Sequence, residues 1–192
     1  MNLLGIYGSP RKGGNTDLLL DQVMAGAAAA GADCRTVYCR RLQMSGCLAC
    51  GGCDDTGECV LDDDMDQVYP LLRWARAIVM AVPIYFYAPP GQVKLLIDRA
   101  QACWNHKLLT KGRGHLGTYD SGQGYLVGVG ATKGQNLFEP TDLIAKYFYD
   151  ALDMSYQGGL FYRRLEDKGA VLQHQDKLQE AYELGKRIAG GK

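Results

Sequence analysis

Residues 2–30, NLLGIYGSPRKGGNTDLLLDQVMAGAAAA, decide how this chain folds. Asn2–Gly8 is a compact apolar run, which reads as a buried strand. Asn15–Ala30 carries Leu18, Leu19, Val23 and Ala27 at helical spacing, with Asn15 or Thr16 as N-cap and Gly31 as stop. Between them lies Gly8-Ser9-Pro10-Arg11-Lys12-Gly13-Gly14-Asn15-Thr16. A phosphate needs converging N–H donors, the positive end of a helix, and hydroxyl or cationic partners. This turn offers Gly-rich backbone, a helix N-terminus, and the side chains of Ser9, Arg11, Asn15 and Thr16. The segment matches neither G-x-x-x-x-G-K-[ST] nor G-x-G-x-x-G, which disfavours an NTPase loop and the dinucleotide fingerprint. Turn chemistry with a helix cap would by itself explain these residues. Their position after a first buried strand favours the phosphate reading.

The same alternation continues along the chain. Cys34–Tyr38 reads as a second strand, Asp63–Arg73 as a helix kinked or broken near Pro70, and Ala77–Val82 as a third strand stopped by Pro83. Pro90–Ala102 reads as one helix, and Asn105–Gly124 as a polar, Gly-rich connection. Tyr125–Ala131 is a fourth strand, Leu137–Leu152 a helix, Met154–Tyr162 a fifth strand weakened by Gly158-Gly159, and Gln173–Ala189 a closing helix. Strands separated by helices predict an α/β fold with a parallel sheet covered on both faces. Right-handed crossovers predict the strand order 2-1-3-4-5, with a ligand at the carboxyl ends of strands 1 and 3.

Composition sets outer bounds. The chain has 192 residues, enough for one domain with an insertion. Lys plus Arg and Asp plus Glu number 21 each, so no broad field favours nucleic acid or an anionic membrane. The N-terminus lacks a basic n-region, and no apolar run approaches the roughly 20 residues of a membrane span. A cytoplasmic location is expected, where thiols stay reduced. There, seven cysteines argue for metal or redox chemistry rather than a disulfide framework.

Four of them sit in residues 40–62, a long stretch without periodicity, which is usually functional. Cys47-x2-Cys50-x2-Cys53-x5-Cys59 is the most specific chemical pattern in the chain. Soft thiolates select zinc, copper(I) or iron–sulfur clusters. Three cysteines at successive spacings of three place their sulfurs around one small object, and the fourth closes from the next turn. The run approaches bacterial ferredoxin spacing, although the last gap is longer and no proline follows Cys59. Zinc more often uses two separated C-x2-C pairs. A cluster, a structural zinc and free thiols remain the three readings of the residues. Cys34, Cys39 and Cys103 read as small buried hydrophobes.

After strand 3 comes Pro83-Ile84-Tyr85-Phe86-Tyr87-Ala88-Pro89-Pro90-Gly91-Gln92-Val93-Lys94, whose aromatic residues suit a flat ring system or ordinary cover. GSPRKGGNT at 8–16 and PIYFYAPPGQVKLLIDR at 83–99 together resemble the NADPH-dependent FMN reductase family of flavodoxin-like proteins, over roughly residues 1–135. The resemblance implies that Ser9, Arg11, Asn15 and Thr16 hold the FMN phosphate and that Pro83, Ile84, Tyr85 and Phe86 border the flavin ring. It implies a third flavin loop at 131–136, with Thr132 and Gly134, though the detail there matches less well. The cysteine loop within such a chain resembles the iron–sulfur flavoproteins of the same wider family, which carry FMN and one [4Fe–4S] cluster. On that likeness Cys47, Cys50, Cys53 and Cys59 are the cluster ligands and the chain forms a homodimer or homotetramer.

The resulting expectation is a single flavodoxin-like FMN-binding domain over 1–192, with the Cys-rich loop inserted after strand 2. Its implied function is FMN-dependent electron transfer between ferredoxin or NAD(P)H and a small-molecule acceptor. The rivals are an NAD(P)H-dependent FMN or quinone reductase without a cluster, a non-catalytic flavin electron carrier, and a zinc-bearing binding module. No acid–base dyad or Ser–His–Asp set is visible, and chemistry borne by a flavin needs none.

Overall fold

The computed structural model describes residues 1–115 and 117–191. Strands β1 (Asn2–Tyr7), β2 (Asp33–Tyr38), β3 (Ala77–Pro83), β4 (Gly122–Gly130) and β5 (Met154–Arg163) form one parallel sheet in the order β2-β1-β3-β4-β5. Six helices connect and flank them: α1 (Asn15–Ala29), α2 (Met65–Trp74), α3 (Gly91–Arg99), α4 (Gln101–Lys111), α5 (Glu139–Ala151) and α6 (Gln175–Gly190). The expected doubly wound α/β fold is therefore present.

Successive side chains of a strand point to opposite faces, and this divides the core in two. Leu4, Ile6, Ile78, Met80 and Leu126 pack with Met65, Val68 and Leu72 of α2, Val93 and Leu96 of α3, and Phe148 and Tyr149 of α5. Leu3, Tyr7, Val79, Val127 and Val129 pack with Leu19, Leu20 and Val23 of α1 and Leu178, Leu184 and Ile188 of α6. With both faces covered, the strands need continuous apolar runs, as Ala77–Val82 shows. The carboxyl ends of all five strands lie at one end of the sheet. The loops 8–14, 84–90, 131–138 and 164–174 gather there, and the long 42–64 segment starts there. Among the described residues, no helix is long and apolar enough to cross a membrane.

Four expectations need correction. The helix expected over Pro90–Ala102 is two helices. Ala100 (φ −66°, ψ −2°) bonds back to Ile97, and the chain turns into α4, which runs on to Lys111. Part of the expected 105–124 connection is thus helical, while Leu116 lies outside the described residues. Its signal is hidden because polar residues occupy buried positions: Asn105 and Lys107 are 8% and 4% exposed. Second, α2 passes through Pro70 unbroken. Both Pro70 and Asp66, whose carbonyl loses its helical donor, lie at the exposed face, where water replaces the missing N–H. Third, Gly14 rather than Asn15 or Thr16 is the N-cap of α1. Fourth, Gly158-Gly159 does not weaken β5 but bulges it. The register with β4 shifts between Gly124 and Leu126, and Gly158 takes φ +76°, which suits glycine.

Candidate functional site

Two sites stand beside the sheet, one built by the strand-end loops and one by the cysteine loop.

At the first, Ser9, Arg11, Asn15, Thr16, Pro83, Ile84 and Tyr85 line one crevice together with Gly14, Val129, Ala131, Leu165 and Glu166. The turn after β1 is held by Ser9, whose Oγ accepts the Arg11 N–H at 3.1 Å, and by the Gly14 N–H bonding Arg11 O at 3.2 Å. The N–H groups of the first turn of α1 have no partner within the helix, so its positive end opens here. Among the described residues the Arg11 guanidinium and the Thr16 hydroxyl also have no hydrogen-bond partner. Free N–H donors, a cation and a hydroxyl therefore meet at one end of the crevice, and apolar walls extend from it. That arrangement fits a phosphorylated ring compound such as FMN.

Asn15 does something different from what the sequence suggested. Its Nδ2 donates to Leu165 O (3.2 Å) and Asp167 O (2.9 Å), and its Oδ1 accepts the Val171 N–H (3.1 Å). Both amide hydrogens are used in tying the loop after β5 to the start of α1, so the side chain shapes the crevice and has no N–H left to donate to a ligand.

Phe86, Thr132 and Gly134 do not line the crevice. Tyr85 and Ala88 exchange backbone hydrogen bonds of 2.9 and 3.0 Å around a two-residue turn. Phe86 and Tyr87 sit at its centre with φ +50° and +63°, a conformation that usually selects Asn and Gly. Phe86 is wholly exposed at the tip. Thr132 Oγ1 accepts the Gly134 N–H at 3.3 Å, and the carbonyls of Lys133 and Gly134 accept from Arg163 Nη1.

Sequence reasoning also missed the pair behind the turn. Arg40 Nη2 meets Asp17 at 3.0 Å, and Nη1 donates to Ser9 O at 3.2 Å. Asp17 in turn accepts the Gly13 N–H at 2.9 Å. A carboxylate inside the first turn of α1 would repel an anion, and Arg40 neutralises it while bracing the turn.

At the second site Cys47, Cys50, Cys53 and Cys59 all line one cavity of about 290 Å³ with Leu48, Val60, Leu61, Arg99 and Ala102. A single water-sized sphere needs only roughly 10–15 Å³. All seven cysteines are unpaired. Among the described residues, no three His, Cys, Asp or Glu side chains converge closely enough to share one metal ion. The Ala49 N–H lies 3.4 Å from Cys47 Sγ, and Asn105 Nδ2 lies 3.2 Å from Cys53 Sγ. Burial pushes the Cys53 thiol up from its ordinary value, and the Asn105 donor works against that. Such N–H···S contacts and a mostly apolar wall suit four thiolates around a cluster.

The loop is held at its neck. Asp63 accepts the Ser45 N–H (3.1 Å), the Met65 N–H (3.0 Å) and Arg99 Nη1 (2.5 Å), and Arg99 Nη1 also reaches Ser45 O at 3.1 Å. Asp64 Oδ2 takes the Gln43 N–H at 2.7 Å. Partial burial works to raise the Asp63 carboxyl, but Arg99 and the two N–H groups hold it below the usual carboxylate range. Gly57 (φ +70°) packs directly on the backbone of His106, leaving no room for a side chain, so α4 supports the loop from below. A signal for Arg99 existed: it follows Val93 and Leu96 at the spacing of the buried face of α3, and all three are buried. Of the remaining cysteines, Cys39 is buried, while Cys34 and Cys103 are half-buried.

The chain is similar to several known proteins. An iron–sulfur flavoprotein of Methanosarcina thermophila is 40% identical over 100 residues, covering 52% of this chain and 52% of that protein. One from Archaeoglobus fulgidus is 34% identical over 113 residues, covering 59% of this chain and 51% of that protein. The chain thus spans about half the length of the curated relatives it matches. Among solved structures, a flavone reductase superposes with TM-score 0.72 at 17% identity over 100% of this chain and 62% of that one. An NAD(P)H:quinone oxidoreductase from Methanothermobacter marburgensis gives TM-score 0.72 at 14% identity over 98% and 96%. These last two share the fold. Residues 1–137, most of the chain and both strand-end motifs, match the model of the NADPH-dependent FMN reductases, and the chain belongs to that family.

Proposed function

We propose that this chain is an FMN-dependent oxidoreductase that also carries a [4Fe–4S] cluster on Cys47, Cys50, Cys53 and Cys59. The flavin supplies one- and two-electron chemistry and the cluster one-electron chemistry. The single observation that carries the cluster is the one cavity that all four cysteines line. The names of the relatives from Methanosarcina and Archaeoglobus support the same reading.

In this reading the chain's own residues bind, orient and shield. Arg11, Thr16, Ser9 and the first-turn N–H groups of α1 hold the phosphate. Pro83, Ile84 and Tyr85 would border the ring, and Leu165 and Val129, which line the same crevice, would help to keep water from it. Phe86, Thr132 and Gly134 stand outside the crevice and serve as its rim. The donor is NAD(P)H or ferredoxin and the acceptor a small molecule. The protein works as a homodimer or homotetramer in the cytoplasm. The exposed aromatic turn at 85–87, close to the crevice, supports an assembly that covers it.

The test is anaerobic purification followed by a spectrum and assays of iron, zinc and acid-labile sulfide. Broad absorption near 400 nm with iron and sulfide in equal amounts is expected, with FMN released on denaturation. Yellow protein with flavin alone selects a reductase without a cluster. Zinc without iron removes the cluster. Turnover of NAD(P)H with a soluble acceptor separates an enzyme from a passive carrier.

A further inference from the structure

Arg99 is the most deeply buried cation in the described chain, with a side chain of 0% exposure. Its five N–H donors are unequally used. Nη1 serves Asp63 and Ser45 O, and Nη2 reaches Leu61 O at 3.5 Å. Nε is the only buried side-chain nitrogen or oxygen among the described residues without a hydrogen-bond partner. An orphaned donor of this kind typically costs about 1–3 kcal/mol, and native structures rarely retain one without a use. It belongs to the one arginine that lines the four-cysteine cavity. Its guanidinium is fixed from several sides, because Asp63 and Ser45 O hold Nη1 and Leu61 O meets Nη2, while the Tyr69 hydroxyl donates to the backbone carbonyl of Arg99 at 3.0 Å. An arginine keeps its charge at any physiological pH, so Arg99 is a permanent cation of fixed orientation in the wall of the cavity that Cys59 also lines.

We infer that the Arg99 Nε–H is the hydrogen-bond donor to a sulfur of the cluster, making Arg99 a positioning residue that raises the cluster's reduction potential. The inference rests on the cluster reading above. Four thiolates around iron and sulfide carry net negative charge, which grows by one on adding an electron. A fixed cation and an N–H aimed at sulfur stabilise the more negative state more. The two bonds to the loop neck place that cation, so the residue that closes the loop also sets the electrostatics inside it. Asn105, bonded to both Cys53 Sγ and Asp54, supplies a second N–H to a cysteine sulfur.

Two measurements test this on the full anaerobic protein. The first is pulsed EPR of dithionite-reduced protein labelled with 15N-arginine, which needs no substitution. A 15N coupling together with an exchangeable proton is expected. A clear cluster signal with no 15N coupling overturns the inference. Arginine labelling keeps the Asn105 donor out of the reading. The second is a potentiometric titration of Arg99→Gln, and of Arg99→Lys, which keeps the charge without the Nε–H. Arg99→Gln should disfavour reduction at least tenfold, which is 59 mV for one electron, with Arg99→Lys intermediate. Unchanged potentials at full iron and sulfide content overturn the inference. Wild-type protein with no iron or sulfide overturns the cluster reading instead, and this inference falls with it.

Discussion

Replacing Asp63 by asparagine should cost the fold about 3 kcal/mol. Asp63 faces a guanidinium with no solvent contact, and among the described residues it is the only carboxylate in an ion pair with Arg99. Removing one partner of a buried ion pair typically costs 3–5 kcal/mol, because the other charge is left uncompensated. The side chain of Asp63 is 14% exposed, so water relieves part of the loss, and the lower end applies. The substituted amide would still accept through its Oδ1, but it loses the charge and some of the three donors that Asp63 satisfies. In a chain of this length 1 kcal/mol moves Tm by roughly 2–4 °C, which gives a fall of about 6–12 °C. Urea unfolding with parallel thermal scans, on anaerobically prepared protein, reads the effect.

The pH dependence supplies a second check on the same residue. The folded Asp63 carboxyl is held below its unfolded value, so its contribution is fully present above the unfolded pKa of about 3.9. It is lost as pH falls through the lower folded value. The acid limb of the stability curve should therefore flatten in Asp63→Asn. A change in unfolding free energy under about 1 kcal/mol at neutral pH, with the acid limb unaltered, would refute the view that this ion pair holds the loop neck.

Three further outcomes are expected. Arg11→Ala should weaken FMN binding by roughly ten- to a hundredfold, the scale of a lost charge-assisted hydrogen bond, with unfolding unchanged; fluorescence titration of the flavin reads it. Asn15→Ala strands the buried Val171 N–H and frees the 165–171 loop, so it should lower stability by about 1–3 kcal/mol and speed amide exchange at Val171; unaltered exchange there counts against the tie. Phe86→Gly removes the exposed ring at the tip of the turn that the proposed assembly covers, and should shift the protein toward monomer; an unchanged sedimentation profile would count against assembly through this turn.

Much of this protein was legible before any coordinates. The strand order follows from five apolar runs separated by helical stretches, and the donor-rich end of the crevice follows from a Gly-rich turn between the first strand and the first helix. Both are local signals, written within a few residues of each other. The cysteine spacing is local as well, and the structure gathers those four residues around one cavity. Of the residues that the resemblance set along the ring, Pro83, Ile84 and Tyr85 line the crevice, and Phe86, Thr132 and Gly134 stand outside it.

Hydrophobic period, glycine turns and ligand spacing act over short separations, so the layered α/β sheet, the Gly-rich turn before α1 and the thiol-rich loop can be read from the chain alone. What the buried polar residues do depends on residues far away in sequence. Asn15 answers to residues 165–171, Arg99 to Asp63, Arg40 to Asp17, and Lys107 to Asp150 at 3.0 Å. A charge or amide can leave water only when a partner meets it, and that partner arrives from another element of the chain. No periodicity on one helix announces it, which is why α4, with its polar face turned inward, stayed hidden until the fold was complete.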